Sequence, residues 1–358
     1  MRFYDMLQLD AAVLKEKIHV CETAGERRRI WLAMAMRSLL IVLFAIIFVG
    51  VLGSVFGAEN NPMGVSLFCI LLGIRFVDFG YCIKDSMATL ALALTILLIA
   101  PVAATAVNPI IASCIHFCAF LTLLLMTTDK PELGNGGLFG FAYVFLTGNP
   151  VTGAAFWSRA ELTVVGYLLC GAVLYFKHHD KNKEIRFHQI AAQFTMSQEK
   201  SRWQLRMALG VSLVLTLGSL FEMERFMWMG FACISLFSGY PNVNIKERVW
   251  QRILGVVVGS SIFFVIYQVI PEALHSFLGP VGGLCLGFST DYRYKTALNC
   301  FGALMMAAGV YGIQNAVLLR IQNNILGIIL GLLFIFLYQK LVDQRFEADS
   351  LNTEQTTA

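Results

Sequence analysis

An all-α polytopic membrane protein is the fold class this sequence predicts, with about twelve transmembrane helices arranged as two parallel six-helix repeats. Three observations predict it. Composition is the first: 57% of the 358 residues are apolar and 14% charged, with a mean hydropathy of +0.68, whereas an average soluble domain carries roughly 25% charged residues. Spacing is the second. Apolar runs of about 20 residues, enough to cross a ~30 Å hydrocarbon core as helix, recur from Ser38 to Leu337. Duplication is the third: "WSRAELTVVGYLL" sets Arg159 and Gly166 at the same seven-residue spacing as Arg320 and Gly327 in "LLRIQNNILGIIL".

The N-terminal stretch, 1–36, mixes acids and bases and spaces Leu7, Leu14 and Ile18 as on one helix face, which predicts an amphipathic cytoplasmic segment. It has no early apolar core ending in small residues, so it does not read as a cleaved signal peptide. The first repeat, 37–177, holds segments near 38–56, 63–82, 87–103, 107–127, 136–148 and 159–176. Its fifth segment, "GGLFGFAYVFLTGN", is short and glycine-rich. A broken or re-entrant form is tolerated only where protein or a water-filled cavity covers the backbone. Residues 178–203 follow as a cytoplasmic linker, in which Phe187, Ile190 and Phe194 repeat the amphipathic pattern and His178, His179 and His188 are expected to be solvated. The second repeat, 204–340, holds segments near 206–222, 226–240, 252–270, 276–290, 296–312 and 317–338, and 341–358 is expected to be a disordered cytoplasmic tail.

Lysine and arginine crowd alternate loops, from Arg27–Arg29 and Lys84 through Lys130, Lys177–Arg206, Lys246–Arg252 and Arg293–Lys295 to Lys340 and Arg345. The opposite loops contribute little beyond Arg225, which puts both termini in the cytoplasm of a cell-membrane protein. Nine cysteines lie mostly inside apolar runs and read as reduced packing residues. In "CIHFC", Cys114 and Cys118 share a face, but His116 projects about 200° away at 100° per residue, so no metal site is expected. No glycine is followed by lysine, which excludes a P-loop. Neither a catalytic triad nor a cofactor motif is visible, so no enzyme and no cofactor are expected. The basic stretches flank membrane helices and suit anionic membrane lipid rather than nucleic acid.

From "FMWMGFACISLFSGYPN" into "KERVWQRILGVVVGSSIFFVIY" the chain resembles the fusaric acid resistance protein-like family of integral membrane transporters, related to aromatic acid exporters. The features that carry the resemblance are Arg252 followed by Gly255 and Gly259 after a short polar loop, and a later helix with Arg320 several residues before Gly327. It is clearest over 203–340 and reaches 37–177 through the repeat. Larger relatives carry a sizeable cytoplasmic domain between the halves, where this chain has only the linker. Export, and aromatic carboxylic acids as cargo, are what the resemblance implies.

Charged side chains inside a span cost roughly 2.5–3.5 kcal/mol at the bilayer centre on insertion scales, so each one needs a reason. Arg320 and Arg159 lie about a turn inside their helices. They either snorkel to the headgroups or flank a central pathway and offer bidentate hydrogen bonds to a carboxylate. Asn323 and Asn149 would orient that substrate, and Arg252 would collect anions at the cytoplasmic mouth. Arg75 and Asp78, three apart on the second segment, are expected to share one face, with Asp78 as the proton-coupling acid and Arg75 its partner. Glycine pairs four apart (Gly53/Gly57, Gly136/Gly140, Gly255/Gly259, Gly283/Gly287 and Gly327/Gly331) are read as packing faces, compatible with a monomer or a homo-oligomer. A proton-coupled exporter of small organic anions is the first functional expectation. A passive anion channel on the same scaffold and a membrane scaffold protein without transport are the alternatives.

Overall fold

A computed structural model describes residues 2–21, 23–240 and 244–343. All regular structure among them is helical. In chain order the helices are α1 Phe3–Leu7, α2 Ala11–Val20, α3 Ala24–Phe56, α4 Asn61–Ile74, α5 Ile83–Thr105, α6 Pro109–Thr127, α7 Asn135–Thr147 and α8 Gly153–His178. They continue with α9 Phe187–Ala191, α10 Glu199–Leu220, α11 Met227–Phe237, α12 Ile245–Val269, α13 Leu278–Leu286, α14 Tyr292–Tyr311 and α15 Ile313–Tyr338. Seven of the described helices (α3, α5, α6, α8, α10, α12 and α15) are long and apolar enough to cross a membrane. The chain is therefore a multi-pass membrane protein.

The remaining expected segments are shorter or more polar. α4 has 14 residues, α7 has 13, α11 has 11 and α13 has 9. At 1.5 Å per residue these measure about 14–21 Å, less than a ~30 Å core. α14 reaches 20 residues but carries Arg293 and Lys295 in its first turn. Glycine and proline set several of these limits. Gly134 has φ +86 just before α7, and α7 buries most of its circumference, from Phe139 to Thr147, which meets the requirement that so short a segment be covered by protein.

Helix starts follow local chemistry. α3 begins at Ala24, well before the expected opening at Arg37, because "AGERRRIWLAMAMRS" contains no proline, its one glycine lies in the first turn, and Thr23 Oγ1 accepts from the Glu26 amide at 3.3 Å as an N-cap. α6 and α12 start likewise, under Asn108 and Asn244, whose side chains accept from Ile111 and Glu247. The expected tail coincides with described residues only at 341–343, and 344–358, including Arg345, lie outside them.

Packing divides the chain into two compact units, Met1–Phe48 with Asn244–Asn324, and Val49–Val243 with Ile325–Ala358. The division falls within α3 and within α15. In the first unit, α1 and α2 bury Met6, Ala11 and Leu14 against Ile30, Ala33 and Met34 of α3. Ser38 donates to the Leu284 carbonyl at 2.6 Å, tying α3 to α13. In the second unit, Trp203 of α10 donates to the Phe237 carbonyl at 2.8 Å, and Gln204 donates to Thr128 at 3.0 Å.

Two of the expected glycine faces make backbone approaches. Gly259 of α12 lies against Ala297 of α14, and Gly327 of α15 against Met229 of α11, each where a Cβ would strike main-chain atoms. Gly57 departs from expectation: it lies past the end of α3 at φ +92, so it turns the chain and does not pair with Gly53 on a helix face. A Gly259→Leu variant is expected to push α12 off α14 at a cost of about 1–3 kcal/mol. Thermal unfolding in detergent measures this, and an unchanged midpoint would refute the contact.

Candidate functional site

α12 carries Arg248 and Arg252 one turn apart, and its glycines Gly255 and Gly259 let α14 come close enough to reach them. The Tyr292 hydroxyl, at the start of α14, lies 3.0 Å from Arg252 Nη1 and accepts its hydrogen. The Tyr292 ring lies under the Arg248 guanidinium, 4.5 Å from ring centroid to Cζ. From α15 comes Asn324, which works in both directions. Its Oδ1 accepts from Arg252 Nη2 at 2.9 Å, while its Nδ2 donates to the Arg320 carbonyl at 2.8 Å.

Arg320 sits beside the Cys300 thiol of α14 and within range of the Arg252 charge. Arg252 is 7% exposed and Arg320 5%, with Asn323 and Asn324 buried next to them. Two guanidiniums are thus held near each other out of water. Arg252 is paired only with neutral oxygens, and its Nε has no hydrogen-bond partner among the described residues. Burying an ion costs several kcal/mol unless an opposite charge balances it. A carboxylate is a group that carries such a charge and matches the planar fork of a guanidinium. Snorkelling is not what these side chains do.

Arg159 occupies a different setting. It is 1% exposed. Its Nε donates to Asn60 Oδ1 at 2.9 Å, Nη1 to the Asn149 carbonyl at 2.9 Å and Nη2 to the Glu59 carbonyl at 3.0 Å. Asn60 in turn donates to Phe56 and Ala155 carbonyls. The guanidinium therefore binds α8 to the turn after α3 and to the end of α7. Asn149 takes part through its carbonyl, while its amide donates to its own helix at Phe145. Glu161 is exposed and takes no part.

The expectation that Arg75 and Asp78 share a helix face is corrected. α4 ends at Ile74, Arg75 is its C-cap residue, and Asp78 lies beyond the helix. The cause is local: Asp78 Oδ1 accepts from the Gly80 amide at 2.9 Å, and Gly80 has φ +90, a turn that competes with helix. Asp78 instead meets Lys181 at 3.6 Å and Asn182 at 3.3 Å, from the segment that follows α8. His178, expected to be solvated, is buried at the end of α8, with Nε2 2.7 Å from the Ile74 carbonyl and Nδ1 3.8 Å from Asp78.

Asn60, Tyr292 and Cys300 are the site residues that sequence reasoning missed. Asn60 carried a signal, since an Asn-Asn-Pro run marks a turn that needs a partner. Tyr292 and Cys300 carried none, because their roles depend on which helices pack together.

Residues 211–334 match the family model described as fusaric acid resistance protein-like. The match spans about a third of the chain and includes Arg252, Tyr292, Cys300, Arg320, Asn323 and Asn324, but not Arg159 or Asp78. Searches of curated proteins and of solved structures found no match.

Proposed function

We propose that this membrane protein is a secondary transporter that exports small organic anions, aromatic carboxylic acids in particular, through a site built on Arg252 and Arg320. One observation carries the reading: two buried arginines within range of each other's charge, with Arg252 held by a hydroxyl and an amide. A carboxylate bridging them relieves their mutual repulsion. Asn323 and Asn324 orient it, and Tyr292 offers the ring of an aromatic acid a face to meet. The aromatic cargo and the outward direction draw support from the family matched over 211–334.

The proposal includes a cell-membrane location, both termini in the cytoplasm, and 37–177 and 204–340 as parallel copies of one six-helix unit. Catalysis is no part of it. Proton coupling is assigned to Asp78. A passive anion channel is the second reading, and it gains from the Asp78–Lys181 ion pair, which gives that carboxylate a structural task.

Purified protein in liposomes tests the proposal. Uptake of benzoate against its gradient, driven by a pH difference, is expected for the wild-type chain. An Asp78→Asn variant should lose uphill movement and keep downhill flux. Full uphill transport by that variant would remove Asp78 from the coupling, and flux that is downhill only in both proteins would establish the channel.

A further inference from the structure

The first unit has a cavity of about 280 Å3 where the end of α2 meets the start of α3. Its lining combines two cations, Lys17 and Arg29, one acid, Glu26, and the apolar side chains of Met6, Val20 and Ile30. Met6 and Ile30 belong to the packed cluster that joins α1, α2 and α3, so the floor is part of a core, while Lys17 and Arg29 are exposed at the rim. The anion site described above uses none of these residues.

Helix length places the cavity in the headgroup layer. α3 has 33 residues, about 50 Å at 1.5 Å per residue, against a ~30 Å hydrocarbon core. Its charge-free stretch begins after Arg37 and its large apolar residues begin at Ile30, so the turn that carries Glu26 and Arg29 precedes both and extends beyond the acyl chains. A phosphate there meets two cations and one acid, a net charge of +1 on the lining at neutral pH.

We propose that this cavity holds the headgroup of an anionic phospholipid, with Lys17 and Arg29 on the phosphodiester and Glu26 accepting from headgroup hydroxyls. Val20, 77% exposed, and Ile30 lie beside the cations. An apolar wall next to a phosphate site suits a glycerol backbone and the first acyl carbons, for which a free phosphate has no use. The single acid disfavours a second phosphate on the same headgroup. Phosphatidylglycerol has the required chemistry: one phosphodiester charge and hydroxyl donors.

Native mass spectrometry of the full-length protein in detergent, titrated with phosphatidylglycerol, phosphatidylethanolamine or phosphatidylcholine, reads the site directly. The wild-type chain should retain one phosphatidylglycerol more tightly than either zwitterionic lipid. Lys17→Ala/Arg29→Ala should weaken that binding roughly tenfold or more, in line with the attraction of basic residues to anionic lipid. Arg27→Ala/Arg28→Ala removes the same amount of charge, from the turn of α3 that carries Arg29, without touching the lining, and should leave the binding intact. Equal loss in both double variants would reduce the effect to diffuse attraction and overturn the proposal. So would indifference to lipid class, or protection of the wild-type protein from heating by inorganic phosphate as complete as that by phosphatidylglycerol. A Lys17→Gln/Arg29→Gln pair covers the case in which the alanine variant does not fold.

Discussion

Replacing Arg252 with alanine is expected to lower the apparent affinity for aromatic carboxylates in liposomes by about a hundredfold or more. A hydrogen bond to a charged group contributes roughly 1.5–3 kcal/mol, and a bidentate contact loses two of them. Arg252→Lys keeps the charge but not the planar fork, so it should fall between. Folding is the competing explanation, and affinity in the folded protein separates the two. Arg252 is a buried cation held by the Tyr292 hydroxyl and Asn324 Oδ1, so its removal strands two acceptors, at about 1–3 kcal/mol for each that is buried. The unfolding midpoint should therefore fall, and the apparent affinity of the protein that remains folded should fall with it; a lowered midpoint with affinity intact would assign Arg252 to folding alone. Tyr292→Phe should have a milder effect, through loss of one hydrogen bond to Arg252. Benzoate flux that survives Arg252→Ala and Arg320→Ala alike would sink the anion site, and absence of flux from the wild-type chain would leave a membrane protein without transport as the reading to pursue.

Burial, helix ends and partner choice were unequally legible in the sequence, for physical reasons. Membrane residence follows from composition alone, because bilayer insertion responds to summed hydropathy. The expectation of twelve spans rests on the same sum, and hydropathy is blind to where a helix stops. In "GIRFVDFGY" the apolar side chains continue past Ile74, but the Asp78 turn and Gly80 end the helix there. A single aspartate that bonds a backbone amide two residues on outweighs the apolar pattern locally. His178 shows a second limit: its burial depends on the Ile74 carbonyl, a partner created by that same helix end.

Arg320, Asn323 and Arg252 stand out in the sequence because charge and amide groups are costly inside spans and contrast with an apolar background. What they touch was not legible. Arg159 and Arg320 match in spacing from a glycine, yet Arg159 donates to three oxygens, while Arg320 has the Cys300 thiol and the Arg252 charge among its neighbours. Spacing records a helix pattern, whereas surroundings come from partners outside the helix, such as Glu59 and Asn60 for Arg159.

That difference makes Arg159 the sharper test of structure against function. Arg159→Ala is expected to destabilise the second unit, because it strands the buried Asn60 amide oxygen and the part-buried Asn149 and Glu59 carbonyls. A buried acceptor left unpaired costs about 1–3 kcal/mol and the part-buried carbonyls less, so the sum is a few kcal/mol, a large effect for a single substitution. Arg159→Lys reaches at most part of the three-oxygen set and should recover only a fraction. The expected signature is a much lower unfolding midpoint and a lower yield of folded protein, with an unchanged apparent affinity for benzoate in whatever folded protein remains. If Arg159 instead binds substrate, the pattern inverts: affinity falls and the midpoint holds. Asn60→Ala supplies the cross-check, since it removes the acceptor of Arg159 Nε together with the links to Phe56 and Ala155. Combined with Arg159→Ala it should cost clearly less than the sum of the two single losses, because both act on one network. Full additivity of the two would mean that the guanidinium does not hold α8 to that turn, and the clamp would have to be abandoned.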